Sequence, residues 1–158
     1  MRKKIVLVIG VILSLLFLPI SPVHATEIQG QHILMTREEF KDWLSKTEVN
    51  REIRLIQQHH TWLPSYKHFN GSNHFPMLMG MENHHKKTMG WSNIAQNITT
   101  FPDGKVAVSR PLNIIPEGTI GPIANSVGIA IEHVGNFDIG QDVIPRRHLL
   151  EHSAELLV

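Results

Sequence analysis

Residues 53–64 read IRLIQQHHTWLP, an apolar start followed by two histidines and a closing proline. The segment predicts a strand that runs into His59 and His60, and Pro64 ends it because proline cannot continue a sheet ladder. Adjacent side chains on a strand point to opposite faces, so only one histidine can face a given site. A histidine at a strand end is well placed to bind a metal. From the spacing alone, a polar pair at a sheet edge is the simpler interpretation, because two histidines do not define a zinc site.

The neighbouring segments alternate between helix and strand. Thr36 and Glu39 form a predicted capping box ahead of a short amphipathic helix, and residues 75–85 predict a second helix that ends near Gly90. Residues 94–101 and 105–109 predict two strands joined by a Pro-Asp-Gly turn. Residues 126–134 predict a mostly apolar strand that is buried on both faces. This alternation predicts an α/β fold.

Residues 1–25 have the pattern of a secretory signal peptide. Basic residues 2–4 precede an uncharged apolar run over residues 5–18, and prolines and small residues follow up to Ala25. We expect cleavage after Ala25 and a secreted protein, extracellular or in the cell wall, with no stable membrane anchor afterwards. A membrane anchor is the alternative, although the apolar run is short for a span and is closed by prolines.

The composition narrows the chemistry. A net charge of +1 and the lack of an arginine-lysine stripe argue against a nucleic-acid partner. The chain has no cysteine, so a metal site would have to use histidine and carboxylate ligands. Eleven histidines are the one feature of the composition that indicates metal chemistry.

Six short motifs occur in a fixed order along residues 55–142. With them, the chain resembles the zinc-dependent N-acetylmuramoyl-L-alanine amidases of the phage-lysozyme and peptidoglycan-recognition-protein type (type 2 amidases). The motifs are HHTWLP at 59–64, GWSNIA at 90–95, FPDGK at 101–105, SRP at 109–111, NSVGI at 125–129 and GNFD at 135–138. The resemblance implies a mixed central β-sheet flanked by helices.

The resemblance also implies an activity and a partner. Such amidases bind peptidoglycan or muropeptides and cleave the amide between N-acetylmuramic acid and L-alanine with a zinc-activated water. His59 corresponds to a zinc ligand of the family, and His60 would then face away. Trp62 is the candidate substrate-binding residue, with a core or rim aromatic as the alternative. His85 is expected to pack or hydrogen-bond beside the site.

One acid-base residue of the family is replaced. Gln96 stands where many members carry a tyrosine, and glutamine does not titrate. Other members use a glutamate on the strand that corresponds to residues 127–134, and Glu132 is the only carboxylate there. Glu132 is therefore the candidate catalytic base. An exposed carboxylate paired with a cation is the alternative.

Nothing after Asp142 resembles the family's C-terminal part, which carries the remaining zinc ligands. We therefore expect a truncated amidase with an incomplete sheet and zinc site. Its segments would be 26–50, an N-terminal helical segment; 51–142, the N-terminal part of the amidase-like domain; and 143–158, a divergent helical tail. The alternatives are a catalytically silent peptidoglycan-binding module and a truncated remnant of an amidase. The sequence HLLEH at 148–152 matches an inverted zincin motif, and an amphipathic tail is its simpler interpretation.

Overall fold

The computed structural model of the protein describes residues 26–118 and 121–142. The predictions for the signal peptide, the tail and its HLLEH motif lie outside the described residues. Within residues 26–118 and 121–142, no helix is both long and apolar enough to cross a bilayer.

The centre of the fold is a mixed sheet, as the resemblance predicted. In the described part of the chain its six strands follow the order β1-β2-β5-β4-β6-β3. β6 pairs in parallel with both β3 and β4, and the other pairings are antiparallel. The strands are β1 Glu27–Gln29, β2 His32–Met35, β3 Leu55–His60, β4 Ile98–Thr100, β5 Val106–Val108 and β6 Gly128–His133.

Within residues 26–118 and 121–142, three α-helices accompany these strands: α1 Arg37–Ser45, α2 His74–Lys87 and α3 Pro122–Ser126. A short 3₁₀ helix covers Tyr66–His68. α1 begins at the predicted capping box. The Thr36 hydroxyl accepts from the Glu39 amide (3.2 Å), and the Glu39 carboxylate accepts from the Thr36 amide (2.7 Å). These two bonds satisfy amides that have no partner inside the helix.

The helices α1 and α2 cover opposite faces of the sheet. Met77, Leu78 and Met81 of α2 pack in one apolar cluster with Ala107 and Val134. A second apolar cluster lies on the other face of the sheet and combines buried side chains of α1, of the strands and of the segment after β5: Met35, Phe40, Ile98, Val106, Val108, Leu112, Ile129 and Ile131. The predicted α/β fold with helices on both faces is therefore confirmed.

The Pro-Asp-Gly turn between β4 and β5 is also confirmed. The Gly104 amide donates to the Phe101 carbonyl (3.0 Å) and Gly104 has a φ of 87°, which favours glycine. The Asp103 side chain accepts from the Lys105 amide at 3.1 Å and lies 2.8 Å from Nε2 of His74. The turn is thus held against the first residue of α2.

Two features differ from the sequence-based expectations. Residues 26–50, expected to be helical, contain α1 but also the β1–β2 hairpin, and β2 joins the sheet by pairing with β5. Strands of three and four residues are too short to show a clear alternation. The last strand begins at Gly128 and not at Ser126, because Pro122 starts the short helix α3.

Candidate functional site

The parallel pairing of β3 and β6 brings two predicted site residues together. His59 is in register with Glu132, and Glu132 is in register with Thr99 of β4. Residues in register on neighbouring strands lie on the same face of a sheet. Thr99 is in turn the partner of Ala107, which packs in the cluster formed with α2. His59 and Glu132 are therefore neighbours on the face that α2 covers.

A cleft of about 560 Å³ opens at this end of the sheet. One wall is the loop that follows β3, the opposite wall is α2, and Glu132 contributes from the sheet. The lining residues are Thr61, Trp62, Leu63, Pro64, Gly80, Met81, His84, His85 and Glu132. The lining combines apolar side chains with a few polar groups, which is typical of ligand sites.

Main-chain bonds hold the loop after β3 against the end of β6. The Thr61 amide donates to the His133 carbonyl (3.0 Å) and the Trp62 amide to the Gly135 carbonyl (2.9 Å). The Gly135 amide donates to the Thr61 hydroxyl at 2.9 Å. These bonds keep Trp62 in the left-handed region, with a φ of 55°, at a cost of about 1–3 kcal/mol for a non-glycine residue.

The Trp62 side chain lies at the rim of the cleft and not in the core. It is 58% exposed, and the neighbouring Leu63 is 54% exposed. A strained loop that presents two large apolar side chains to solvent is costly for stability, and such strain concentrates at functional sites. Trp62 is placed where it can stack on a ligand that enters the cleft.

Glu132 is a desolvated carboxyl without a partner among the described residues. Burial raises the pKa of Glu132 to about 7, because removing water disfavours the charged form. None of the hydrogen bonds or ion pairs within the described residues involves its side chain. Among the described residues, no cation pairs with Glu132, as the alternative of an exposed, paired carboxylate would require. At neutral pH the group is divided between its acid and base forms, as a proton-transfer residue requires.

His59 has a buried nitrogen that bonds to nothing in the described part of the chain. Its Nε2 is inaccessible and lacks a hydrogen-bond partner, and the residue lies beside the cleft without lining it. A partnerless imidazole nitrogen suits a metal ligand. However, residues 26–118 and 121–142 contain no group of three histidine or carboxylate side chains that could hold a metal ion. These residues therefore do not form the zinc site that the resemblance implied.

His60 points to the other face, as strand alternation predicted. Its Nδ1 accepts from the Phe137 amide at 2.9 Å, and its ring stacks on the Phe137 ring with centroids 5.7 Å apart. His60 thus holds the loop after β6 and does not contact the cleft.

His85 lines the cleft as a neutral donor. Its Nδ1 accepts a hydrogen bond from the Ala95 amide at 3.1 Å, which leaves the proton of the neutral ring on Nε2. Burial, together with the nearby His84, lowers the pKa of His85 below its usual value. Its ring packs on Trp91, with centroids 4.9 Å apart. The expected hydrogen-bonding role beside the site agrees with this geometry.

Two further wall residues, Gly80 and His84, were not predicted. They lie on the same side of α2 as Met81 and His85, at the one-turn spacing that places helical residues together. That spacing is visible in the sequence, but it does not show whether this side of α2 faces the cleft or solvent.

Gln96 supports the sheet below the cleft. It is 1% exposed and donates to the Thr99 hydroxyl at 3.0 Å, next to Glu132 in register. Its Oε1 has no hydrogen-bond partner among the described residues. Gln96 is therefore placed to orient Thr99 and does not line the cleft.

Two of the three comparisons with known proteins found similar proteins. No family model matches the chain. Mouse peptidoglycan recognition protein 1 is 35% identical over 77 residues, which are 49% of this chain and 40% of that protein. The chain therefore spans less than half the length of this curated relative.

Solved structures show the same fold. N-acetylmuramoyl-L-alanine amidase LysC from Clostridium intestinale superposes with a TM-score of 0.52 at 25% identity, over 68% of this chain and 64% of LysC. Peptidoglycan recognition protein LE, solved in complex with tracheal cytotoxin, superposes with a TM-score of 0.57 at 21% identity. The superposition covers 71% of this chain and 64% of that protein. The chain is thus similar in part of its sequence to a peptidoglycan recognition protein, and it shares its fold with peptidoglycan recognition proteins and an N-acetylmuramoyl-L-alanine amidase.

Proposed function

We propose that this chain is an N-acetylmuramoyl-L-alanine amidase domain that binds the muramyl peptide of peptidoglycan in the cleft between the 61–64 loop and α2. The observation that carries the proposal is the register of His59 and Glu132. A histidine nitrogen without a partner and a carboxyl with a pKa of about 7 lie side by side at the edge of the cleft. Fold stability alone explains neither group.

The cleft residues have separate parts in this reaction. The carboxylate form of Glu132 accepts a proton from the attacking water, and the acid form returns it to the leaving amine. Nε2 of His85 donates to a carbonyl oxygen of the peptide, and Trp62 packs on the ligand at the rim. Among the described residues, His59 is the candidate ligand for zinc. We assign binding and proton transfer to these residues. The zinc that the amidase proposal requires would need further ligands besides His59, since residues 26–118 and 121–142 do not complete a metal site.

A catalytically silent peptidoglycan-binding module is the second candidate. It is favoured by the lack of a three-ligand metal cluster in residues 26–118 and 121–142. The cleft, Trp62 and the His85 donor are sufficient for binding. The recognition protein LE, solved with the muropeptide tracheal cytotoxin, has this fold.

Zinc analysis of the purified, dialysed chain separates the two candidates. The amidase proposal predicts about one zinc per chain, lost in His59→Ala and retained in His60→Ala, the matched control on the opposite face. If the folded protein retains no zinc, the chain's own residues do not support the amidase mechanism, and the binding module is the better description.

Digestion of purified cell walls tests the reaction itself. An amidase releases new L-alanine amino termini, and chelator stops the release. We expect Glu132→Gln to lower kcat by about 100-fold or more, the usual contribution of a general base. Cell-wall binding without release supports the silent module. New reducing sugar ends would contradict the amidase assignment, because glycosidases cleave with a pair of carboxylates.

We further propose that the protein is exported and acts at the cell wall, on the signal-like pattern of residues 1–25. Amino-terminal sequencing of the protein from culture medium and wall fractions should begin at Thr26. Recovery only in the cytoplasm with Met1 intact would contradict export.

A further inference from the structure

Arg110 is a buried cation that lies one peptide group away from the cleft. It is 4% exposed. Its Nη1 donates to the Ile94 carbonyl at 2.8 Å, and its Nη2 donates to the Ser92 hydroxyl at 3.2 Å. Glu117 balances its charge, with Nη1 and Oε2 3.4 Å apart. A cation is costly to remove from water, so its placement here needs a reason.

The peptide group between Ile94 and Ala95 connects Arg110 to the cleft. Its carbonyl accepts from Arg110, and its N–H, which belongs to Ala95, donates to Nδ1 of His85 at 3.1 Å. A charged donor on the carbonyl polarises the peptide and strengthens its N–H as a donor. The guanidinium therefore acts on His85 through one peptide group, without touching it.

This bond decides which ring nitrogen of His85 carries the proton. A nitrogen that accepts a hydrogen bond cannot carry a proton itself, so the neutral ring must be the Nε2–H tautomer. No described residue bonds Nε2 of His85, while the ring lines the cleft. A ligand therefore meets a donor at this position, and the alternative tautomer would present an acceptor.

We propose that Arg110 is a positioning residue that holds His85 in the Nε2–H tautomer, so that the cleft presents a hydrogen-bond donor to a carbonyl oxygen of its ligand. The identity of that ligand, a muramyl peptide, rests on the proposed function. The tautomer of His85 does not, because it is a property of the ligand-free protein.

The tautomer can be read from two-bond ¹H–¹⁵N correlations of the histidine rings in the ligand-free full chain. We expect a single Nε2–H pattern for His85 in the wild type and a mixture of tautomers in Arg110→Met. Arg110→Lys should partly restore the wild-type pattern, because a lysine keeps a cationic donor. Arg54→Met is the matched control, since the Arg54 side chain pairs with Glu52 at the surface.

Affinity for N-acetylmuramoyl-L-alanyl-D-isoglutamine, measured by calorimetry on the same samples, tests the second half of the proposal. We expect Arg110→Met to weaken binding about 5-fold, the loss of one hydrogen bond of about 1 kcal/mol. An unchanged tautomer in a folded Arg110→Met protein would overturn the proposal, and so would a changed tautomer with unchanged affinity. A wild-type protein that shows the Nε2–H pattern but binds no muramyl peptide would overturn the proposed function and leave the role of Arg110 standing.

Arg110→Met could also fail to fold, and a measurement on the wild type then decides. The hydrogen bond between Ala95 and His85 should give a scalar coupling between the Ala95 amide nitrogen and Nδ1 of His85. Absence of the coupling, together with an Nδ1–H pattern, would overturn the proposal without any substitution.

Discussion

At the carboxyl end of the β3–β6 pair, the two faces of the sheet differ in how their polar residues are bonded. On the α1 face, His133 lies 2.7 Å from the Thr100 hydroxyl and 3.2 Å from the Gln58 side-chain oxygen. On the α2 face, the adjacent residue Glu132 has no partner among the described residues, and neither has Nε2 of His59. Buried polar groups are normally paired, so unpaired ones need another explanation. The α1 face thus pairs these polar groups, whereas the α2 face presents the Glu132 carboxyl to the cleft and holds a buried, unpaired His59 nitrogen beside it.

Replacing Glu132 should have the largest effect on stability, and the effect depends on pH. The folded-state pKa of about 7 lies above the ordinary value of 4.5. Between these pH values the unfolded carboxyl loses its proton while the folded one keeps it. The free energy of unfolding therefore falls as pH rises, by about 3 kcal/mol in total. Glu132→Gln should remove this decline.

Urea unfolding of the wild type and Glu132→Gln from pH 4 to pH 8 measures this difference. The two curves should separate as pH rises through this range, with the variant the more stable protein at pH 8. Glu38→Gln, at an exposed position of α1, is the matched control. Parallel curves for the wild type and Glu132→Gln would show that Glu132 is not desolvated, and the contrast between the faces would fail.

A pair of histidine substitutions compares the faces directly. His133→Ala leaves Thr100 and Gln58 each without one of their partners and opens space in a buried region. His59→Ala breaks no hydrogen bond at Nε2. We expect His133→Ala to cost about 2 kcal/mol more than His59→Ala in denaturant unfolding. Equal costs would mean that both histidines are structural.

The smallest effect is expected at Trp62, where binding and stability should separate. Trp62→Ala and Trp62→Gly both remove the rim aromatic, and each should weaken binding of a muramyl peptide by about 1 kcal/mol, roughly 5-fold. Glycine adopts the left-handed φ without strain, so the glycine variant should be about 1 kcal/mol more stable than the alanine variant. Thermal unfolding and calorimetry measure both quantities. Unchanged affinity in both variants would remove Trp62 from the site.

The parts of the fold that the sequence predicted depend on local signals. The capping box at Thr36 and the turn at 102–104 each involve a few consecutive residues, and both formed as expected. The apolar character of residues 126–134 likewise predicted the buried strand that the structure shows at Gly128–His133. The β1–β2 hairpin was missed, because its strands are too short to show a period.

The site was less predictable, because it depends on register. His59 and Glu132 were proposed from the resemblance to a family. Neither the hydrophobic periodicity of the strands nor the amino-acid composition shows that the two residues are neighbours. Which residue of β3 lies beside which residue of β6 is settled by the packing of the whole sheet. The interaction between Arg110 and His85 was even less predictable from the sequence, because a main-chain peptide group mediates it.

The strand order has a consequence for how the protein folds. The hairpins β1–β2 and β4–β5 join strands that are close in sequence and can form early. β3 must close a loop of nearly seventy residues before it meets β6. We expect the cleft to appear only in the last folding step, so that a chain arrested earlier would have much of its secondary structure and no affinity for a cleft ligand. Recovery of that affinity during refolding therefore reports the closing of the sheet.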